Sequence, residues 1–587
     1  MLKSDISNLQ PIINFLWTVA DDVLVNTYQK GKYKDVILPM IVIRRLDLLL
    51  EPTKEKVLNT YDEYKEKLSN FDSLLKHQTK GSGFAFYNIS KFTLNTLLNE
   101  PGNIKNNFEN YLNGFSENVQ DIINKFRFRN EIETLNDANL LYPLIEKFCS
   151  PKVELHPDKL PSLAMGYVYE DLVRRFNEEN NEEAGEHFTP REIIDLMTHL
   201  IFLPVKDKIK NGTYLIYDPC VGSGGMLTLA KKFVLDPNGL VKSNATLHLY
   251  GQESTPFIYA TCKSDMLIKG EDPDKIVYGS TLSAYGFNID LKFDFMLTNP
   301  PYGKTWAPDK KILGVGAKGE IVDERFQVGI SRVNDGQLMF LLHLLSKMKD
   351  TPLGSRIASI HNGSALFTGD AGQGESEIRK YILENDYLEA IIAMPNDMFY
   401  NTGIPTYLFI LSNRKEKRRV GKVQLINATS NRFYSKMRKS LGKKRVEFLP
   451  EHISEIYNIF EKFEENEYCK IFDYKYFGYS QIIVHQPEKD EKGNIIYDSK
   501  GKPKSDNKLK DTENIPLLED IQEFFDREVK PFVPDAWWNE KETKIGYEIN
   551  FNKYFYKYQP PRPLEEIISD ILAIESETEN LLKEIIG

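Results

Sequence analysis

The 587-residue chain has few cysteines, no long apolar run and no surplus of positive charge, and each shortage excludes something. Its four cysteines, Cys149, Cys220, Cys262 and Cys469, are scattered with neither metal-ligand nor disulfide spacing. No metal site is therefore indicated, and a reducing compartment, the cytoplasm, is the expected location. The first residues open directly into amphipathic sequence without an apolar signal core, and no stretch is long enough to span a bilayer, so no membrane association is expected. With 75 Lys and Arg against 85 Asp and Glu, the formal charge is −10. Phosphate neutralisation dominates DNA binding, so a chain with this balance is not expected to grip DNA unaided. A Gly-x-x-x-x-Gly-Lys-Ser/Thr loop is missing, as is a nuclease-type carboxylate–lysine cluster, which argues against a translocating ATPase or a fused nuclease.

What is present centres on Asn299-Pro300-Pro301-Tyr302, at the end of the apolar run Phe293-Asp294-Phe295-Met296-Leu297-Thr298. An exocyclic amino group on adenine is a poor nucleophile because its lone pair is delocalised into the ring. Two acceptors, the Asn299 side-chain oxygen and the Pro300 carbonyl, can each take one N–H and turn the nitrogen toward a tetrahedral geometry. Consecutive prolines fix φ and bias the preceding residue to extended backbone, which presets the carbonyl direction. Tyr302 offers a flat face for a base taken out of its stack. The same four residues also suit an ordinary strand-to-loop turn.

Upstream, Thr213-Tyr214-Leu215-Ile216-Tyr217 reads as a buried strand running into Asp218-Pro219-Cys220-Val221-Gly222-Ser223-Gly224-Gly225, before the apolar helix start Met226-Leu227-Thr228-Leu229-Ala230. The glycines permit close backbone approach to a ligand, but neither the P-loop nor the dinucleotide spacing is met, so nucleoside triphosphates are not expected. A second strand, Leu247-His248-Leu249-Tyr250, ends in Gly251-Gln252-Glu253, whose carboxylate is placed to accept from both hydroxyls of a ribose. A third run, Ile276 to Leu282, has the position to border an adenine ring.

In this order, these motifs resemble the amino-methyltransferases that use S-adenosylmethionine, and the chain as a whole resembles the modification subunits of type I restriction-modification systems. Ala184-Gly185-Glu186-His187-Phe188-Thr189-Pro190-Arg191 is similar to the family segment that covers the methionine end of the cofactor. Asp323-Glu324-Arg325-Phe326, Asn362 to Phe367 and Tyr400 to Thr406 are similar to its later strands and loops, and Lys544 to Asn552 and Tyr556 to Arg562 to its C-terminal signature. The resemblance implies an adenine-N6 DNA methyltransferase with Asn299, Pro300, Pro301 and Tyr302 as catalytic residues. It also implies S-adenosylmethionine as cofactor, held by Glu186, His187, Phe188, Thr189, Pro190, Asp218, Pro219, Gly222, Ser223, Gly224, Gly225, Glu253 and Ser280. The implied partners are a specificity subunit serving two copies of this chain, a restriction subunit, and double-stranded DNA. Two departures stand out. Ser280 occupies a position where the family commonly carries Asp, although a hydroxyl can still accept from the cofactor's adenine amino group. Cys220 and Val221 lie where small or polar residues are usual, and Cys220 is expected to be a buried structural thiol.

The length suits about three or four domains. The expected fold is α/β: a Rossmann-like S-adenosylmethionine methyltransferase domain, mainly parallel, over residues 151–480. It follows an all-helical N-terminal domain over 1–150, with Trp17, Ala20, Val23, Leu24, Ile37, Leu38, Met40, Ile41, Ile43, Leu46 and Leu50 on apolar faces. Residues 481–515 read as a charged mobile loop with a short hairpin, and 516–587 as a helical region for subunit assembly. In that tail Leu564, Ile567, Ile568, Ile571, Leu572, Leu581, Leu582 and Ile585 recur at helical spacing, suited either to packing on the chain's own core or to docking on the specificity subunit. The basic runs Arg414 to Arg419 and Lys436 to Arg445 suit either solvated turns or phosphate contact. Protein glutamine methylation, which uses a similar Asn-Pro-Pro-Tyr, and a non-catalytic assembly subunit are the competing readings.

Overall fold

The structure is a computed structural model that describes residues 9–179, 189–316, 321–400, 402–556 and 563–586. Its strands are β1 (Thr213–Asp218), β2 (Thr246–Glu253), β3 (Ile276–Tyr278), β4 (Phe295–Thr298), β5 (Arg356–Asn362), β6 (Leu388–Met394), β7 (Thr406–Ser412), β8 (Lys422–Asn427), β9 (Ser435–Leu441), β10 (Lys444–Glu447), β11 (Cys469–Asp473), β12 (Gly478–Val484), β13 (Asp511–Pro516) and β14 (Lys544–Tyr547). Nine of them form one sheet in the order β11-β8-β6-β7-β5-β4-β1-β2-β3. β6 and β7 are buried at every position and, apart from Glu389 and the terminal Thr406 and Ser412, are built of apolar and aromatic residues.

From β3 to β5 the neighbours are parallel, joined by crossovers such as the helices Gly225–Leu235 and Pro256–Lys269. β7 runs against both β5 and β6, and β11 against β8. The reason for β7 lies in its connection: residues 395–405 include no helix among the described residues, and a parallel return needs a longer crossover. Leaving β1, the chain adds β2 and β3 on one side, and β4 and β5 on the other. The order therefore reverses between β1 and β4, and the crevice beyond their C-terminal ends is where open α/β sheets bind ligands.

The N-terminal region is helical, with Gln10–Leu24 and Tyr33–Leu50 its two longest elements before residue 150. Ala20, Val23, Leu24, Ile37, Leu38, Met40, Ile41, Ile43, Leu46 and Leu50 are all buried in one core. Trp17 packs on its edge, stacked on Phe176 with ring centroids 4.7 Å apart. That core includes Met165, Val168, Tyr169, Leu172 and Phe176 of the helix Ser162–Glu179, and Ala260, Leu267 and Ile268 of the helix Pro256–Lys269. The helical region thus shares apolar surface with the helix that follows β2.

β12 pairs antiparallel with β13 and β14 in a separate three-stranded sheet. Between β12 and β13 the charged segment folds back on itself through pairings of Pro487 with Ser505, Lys489 with Ile495 and Tyr497 with Pro503. The stretch 516–587 is not helical throughout, since β14 lies within it, and its Gly546 packs where a Cβ would stand 2.4 Å from the Tyr479 ring. A first compact unit ends at Ile549. The second, Asn550–Gly587, holds the helices Phe551–Phe555 and Leu564–Ile586.

A buried ion cluster ties the far half of the large sheet together. Glu389 on β6 meets Arg356 of β5 at 2.7 Å and Arg419, ahead of β8, at 3.3 Å, with all three buried. Removing one partner strands the opposite charges without solvent, so Glu389→Ala should destabilise the first unit by about 3–5 kcal/mol in denaturant titration. A change within a few tenths of a kcal/mol would show that the two arginines find other acceptors.

Candidate active site

The crevice is built from loops that leave adjacent strand ends. β1 ends at Asp218, whose Oδ1 accepts from the Cys220 backbone N–H at 2.9 Å and from the Thr298 hydroxyl at 2.8 Å. The first bond turns the chain into the glycine loop, and the second fastens β1 to the last residue of β4. Asp218 is buried, and loss of solvent pushes its carboxyl up to about 7, against the lowering effect of its two donors and with a further rise from nearby Glu253.

Gly222 and Gly224 have φ of +53° and +85°. The positive φ at Gly224 is the conformation that favours glycine, and a Cβ there would also lie 2.7 Å from the Met266 Cε and make that side chain shift. The helix Gly225–Leu235 follows directly, placing Ser223 and Gly225 at its start. The Gly222 N–H donates to Glu253 Oε2 at 3.2 Å, and the Thr255 N–H to Glu253 Oε1 at 2.8 Å. Glu253 is therefore oriented by one backbone donor on each oxygen and retains lone pairs for two more. Two buried carboxylates in one crevice disfavour a phosphate-bearing ligand and favour one that brings cationic and hydroxyl donors. Cys220 is half-buried, and burial pushes its thiol well above the ordinary range, so it is not a thiolate.

On the other side of the switch point, Asn299 follows β4. Its Nδ2 donates to the Thr189 hydroxyl at 3.1 Å, while its Oδ1 is buried and has no hydrogen-bond partner among the described residues. A buried acceptor without a partner among the described residues is an exception to be explained, and the Thr189 bond, by engaging Nδ2, fixes the amide with Oδ1 turned the other way. Pro300 is buried, Pro301 exposed, and Tyr302 half-buried against the sheet core. Pro190 is buried and precedes the helix Arg191–Phe202. Ser280 follows β3 and donates to Asp309. Thr189, Asp218, Glu253, Ser280 and Asn299 thus come to one end of the sheet from strand tips and loops far apart in sequence, whereas Glu186, His187 and Phe188 lie outside the described residues.

Several supporting residues gave no signal of their role in the sequence. Asp335 is buried and takes the Gly303 N–H at 3.2 Å, just after Tyr302. Its other oxygen accepts from Gln337 at 2.8 Å and from the Ser364 hydroxyl at 2.7 Å, and Gln337 also donates to Asn362 at 2.7 Å. Arg325, held by Asp323 at 2.7 Å, donates to the carbonyls of Thr281 at 2.9 Å and Leu282 at 2.7 Å. Its guanidinium also reaches His343 Nδ1 at 3.0 Å; burial first, and this cation second, keep His343 neutral. The Asp-Glu-Arg-Phe and Asn-Gly-Ser segments singled out in the sequence are thus braces for the loops after β3 and β4, respectively.

The basic runs separate in the structure. Arg414 pairs with Asp350, Lys415 with Asp386, Arg418 with Glu416 and Arg419 with Glu389. On the β9–β10 hairpin Lys436, Arg438, Lys439, Lys443 and Arg445 are exposed, while Lys444 is buried against Glu192, two residues after Pro190.

Comparison with known proteins gives the family. Residues 162–477, more than half of the chain, match the N-6 DNA Methylase family, and residues 12–148 match the HsdM N-terminal domain. The MjaIX type I restriction enzyme methylase subunit of Methanocaldococcus jannaschii is 26% identical over 472 residues, 77% of each chain. The HindI type I methylase subunit of Haemophilus influenzae is 29% identical over 265 residues, covering 45% of this chain and 54% of that one. In fold, the chain is similar to the type I restriction-modification methyltransferase subunit from Streptococcus thermophilus, with a TM-score of 0.58 and 21% identity over 80% of this chain and 96% of that one. The protein belongs to the N-6 DNA methylase family.

Proposed function

We propose that the chain methylates N6 of an adenine flipped out of duplex DNA, with S-adenosylmethionine as donor, as the modification subunit of a type I restriction-modification system. The observation that carries the reading is the buried Oδ1 of Asn299, without a partner among the described residues, on an Asn-Pro-Pro-Tyr loop beside a carboxylate-lined crevice. When bound, the cofactor supplies an electrophilic methyl on a sulfonium whose leaving group is a neutral thioether. Asn299 Oδ1 and the Pro300 carbonyl would accept the two amino N–H groups of the target adenine and so expose its nitrogen lone pair to that methyl, and the displaced amino proton would leave to water. Tyr302 stacks on the flipped base. The protein's contribution is position and preset acceptors, and no side chain is needed as a base.

The residues at the strand ends fit that donor. Asp218 and the backbone of Gly222 and Gly224, with Thr189 and Pro190, hold its methionine part, Glu253 its ribose, and Ser280 its adenine. Three features support assembly with a specificity subunit, two copies of this chain per specificity subunit, and with a restriction subunit. The relatives matched are methylase subunits of type I enzymes. A charge of −10 leaves phosphate attraction to other chains or to local patches such as the β9–β10 hairpin. On the helix Leu564–Ile586, Leu564, Ile567, Ile568, Ile571, Leu572 and Ile574 are exposed, an apolar stripe suited to a partner helix. The side chains of Leu581, Leu582 and Ile585 lie outside the described residues.

Asn299→Ala should lower methyl transfer by about 10²–10³-fold with cofactor affinity unchanged, because the lost acceptor faces the substrate. Thr189→Val should lower kcat less, by freeing the amide to flip, while Thr189→Ser stays close to wild type. Full turnover in Asn299→Ala would refute the mechanism. The raised carboxyl of Asp218 gives a pH test: ionised, it pairs with the cofactor's ammonium, so affinity should weaken as pH falls from about 7.5 to 5.5, through its native value of about 7. The same burial makes the ionised form destabilising in the empty protein above about pH 7, a penalty relieved as pH falls toward the unfolded value of about 3.9. Asp218→Asn should flatten the affinity profile; a calorimetric profile identical to wild type would place the ammonium elsewhere. Deletion of residues 564–587 should abolish co-elution with a specificity subunit in size-exclusion chromatography with light scattering while cofactor binding persists. Unimpaired assembly would show that the stripe serves its own chain.

A further inference from the structure

Beyond β3 lies a group of oxygens whose arrangement the assignments above leave unexplained. The Ser280 hydroxyl donates to Asp309 Oδ1 at 2.5 Å, and the Ser283 hydroxyl donates to the same oxygen at 2.5 Å. The Leu282 N–H reaches Ser280 Oγ at 3.3 Å. A serine hydroxyl has one hydrogen and two acceptor directions. With its hydrogen committed to Asp309 and one acceptor direction to Leu282, Ser280 has a single acceptor direction left.

Both sides of this contact are anchored. Asp309 lies on the short helix Ala307–Ile312, seven residues after Tyr302, and that helix is fixed by Trp306, whose indole N–H donates to the Arg332 carbonyl and whose backbone N–H donates to the Val333 carbonyl, each at 3.0 Å. The Ser280 loop is held by Arg325 through the Thr281 and Leu282 carbonyls, and the Thr281 hydroxyl donates to the Pro219 carbonyl of the glycine loop at 2.5 Å.

The strand order says what should lie there. Glu253 of β2 stands in register with Tyr278 of β3, while Asn299 follows β4 on the far side of β1. A nucleoside with its ribose on Glu253 and its reactive end toward Asn299 must extend its base the other way, toward Ser280.

We propose that Asp309 is the positioning residue of the adenine subsite: by taking the hydroxyl hydrogens of Ser280 and Ser283, it makes Ser280 Oγ an acceptor only, aimed at the cofactor's exocyclic amino group. This rests on the assignment of Glu253 to the ribose. The carboxylate that acts on Ser280 comes from a different element, the helix Ala307–Ile312 that follows the Asn-Pro-Pro-Tyr loop. A serine free to rotate can donate or accept and so tolerates either an amino or an oxo group on the base. A serine pinned by a carboxylate only accepts, and it selects the amino group.

The test is calorimetric titration of the full chain with S-adenosylhomocysteine and with its deaminated analogue, S-inosylhomocysteine. The wild type should prefer the adenine compound by about tenfold or more, the scale of a hydrogen bond replaced by an acceptor facing an acceptor. Asp309→Ala and Ser280→Ala should each bring the ratio close to one. Because the ratio is taken within a single variant, a partly unfolded sample lowers the titratable fraction without altering it. A wild-type ratio in Asp309→Ala would overturn the proposal. Glu253→Ala separates the two claims: it should weaken both ligands alike and keep the ratio, and undiminished affinity for both would overturn the ribose assignment itself.

Discussion

The Thr298 hydroxyl donates to Asp218 Oδ1 at 2.8 Å, and this bond joins the last residue of β4 to the last residue of β1 where the strand order of the sheet reverses. Neighbouring strands lie about 4.8 Å apart, so loops leaving those two ends are held at a separation suited to two reacting molecules. The glycine loop begins on one side of the bond and the Asn-Pro-Pro-Tyr loop on the other. Fixing that distance in the sheet confines what remains to the loops: orienting an amide, a carbonyl and a carboxylate. Burial of Asp218 is the cost of the arrangement, visible in a carboxyl raised to about 7.

Those orienting contacts are all long-range, which explains what the sequence did and did not disclose. Asp218 to Gly225, Glu253 and Asn299 to Tyr302 were legible because glycine and proline constrain the backbone locally, and because each motif sits at the end of an apolar run. The N-terminal helices were legible from apolar periodicity. The Thr189 hydroxyl on Asn299, the Asp335 brace on Gly303 and the Arg325 clamp on Thr281 and Leu282 were not, since each pairs residues that only the folded sheet brings together. The antiparallel direction of β7 escaped for a similar reason: its apolar run is the same read in either direction, and what decides is the short connection before it, which holds no helix among the described residues. Ser280 looked like a loss from the cofactor site when read alone. In the folded chain its hydroxyl is bonded to Asp309, a contact that the sequence does not disclose.

Electrostatics divides the molecule by task. Negative charge is concentrated where a cationic donor would bind, in Asp218 and Glu253, and it prevails over the chain as a whole. Exposed positive charge gathers on the β9–β10 hairpin, which Lys444 ties through Glu192 to the segment beside Thr189. Such a surface suits a subunit that performs chemistry on DNA positioned by others.

The most direct measurement is mass spectrometry of nucleosides and of peptides after incubating the chain, assembled with its specificity subunit, with isotopically labelled S-adenosylmethionine, duplex DNA and a glutamine-containing protein acceptor. The account predicts label in N6-methyladenine and nowhere else. Label in N4-methylcytosine or in methylglutamine, with none in adenine, would contradict it.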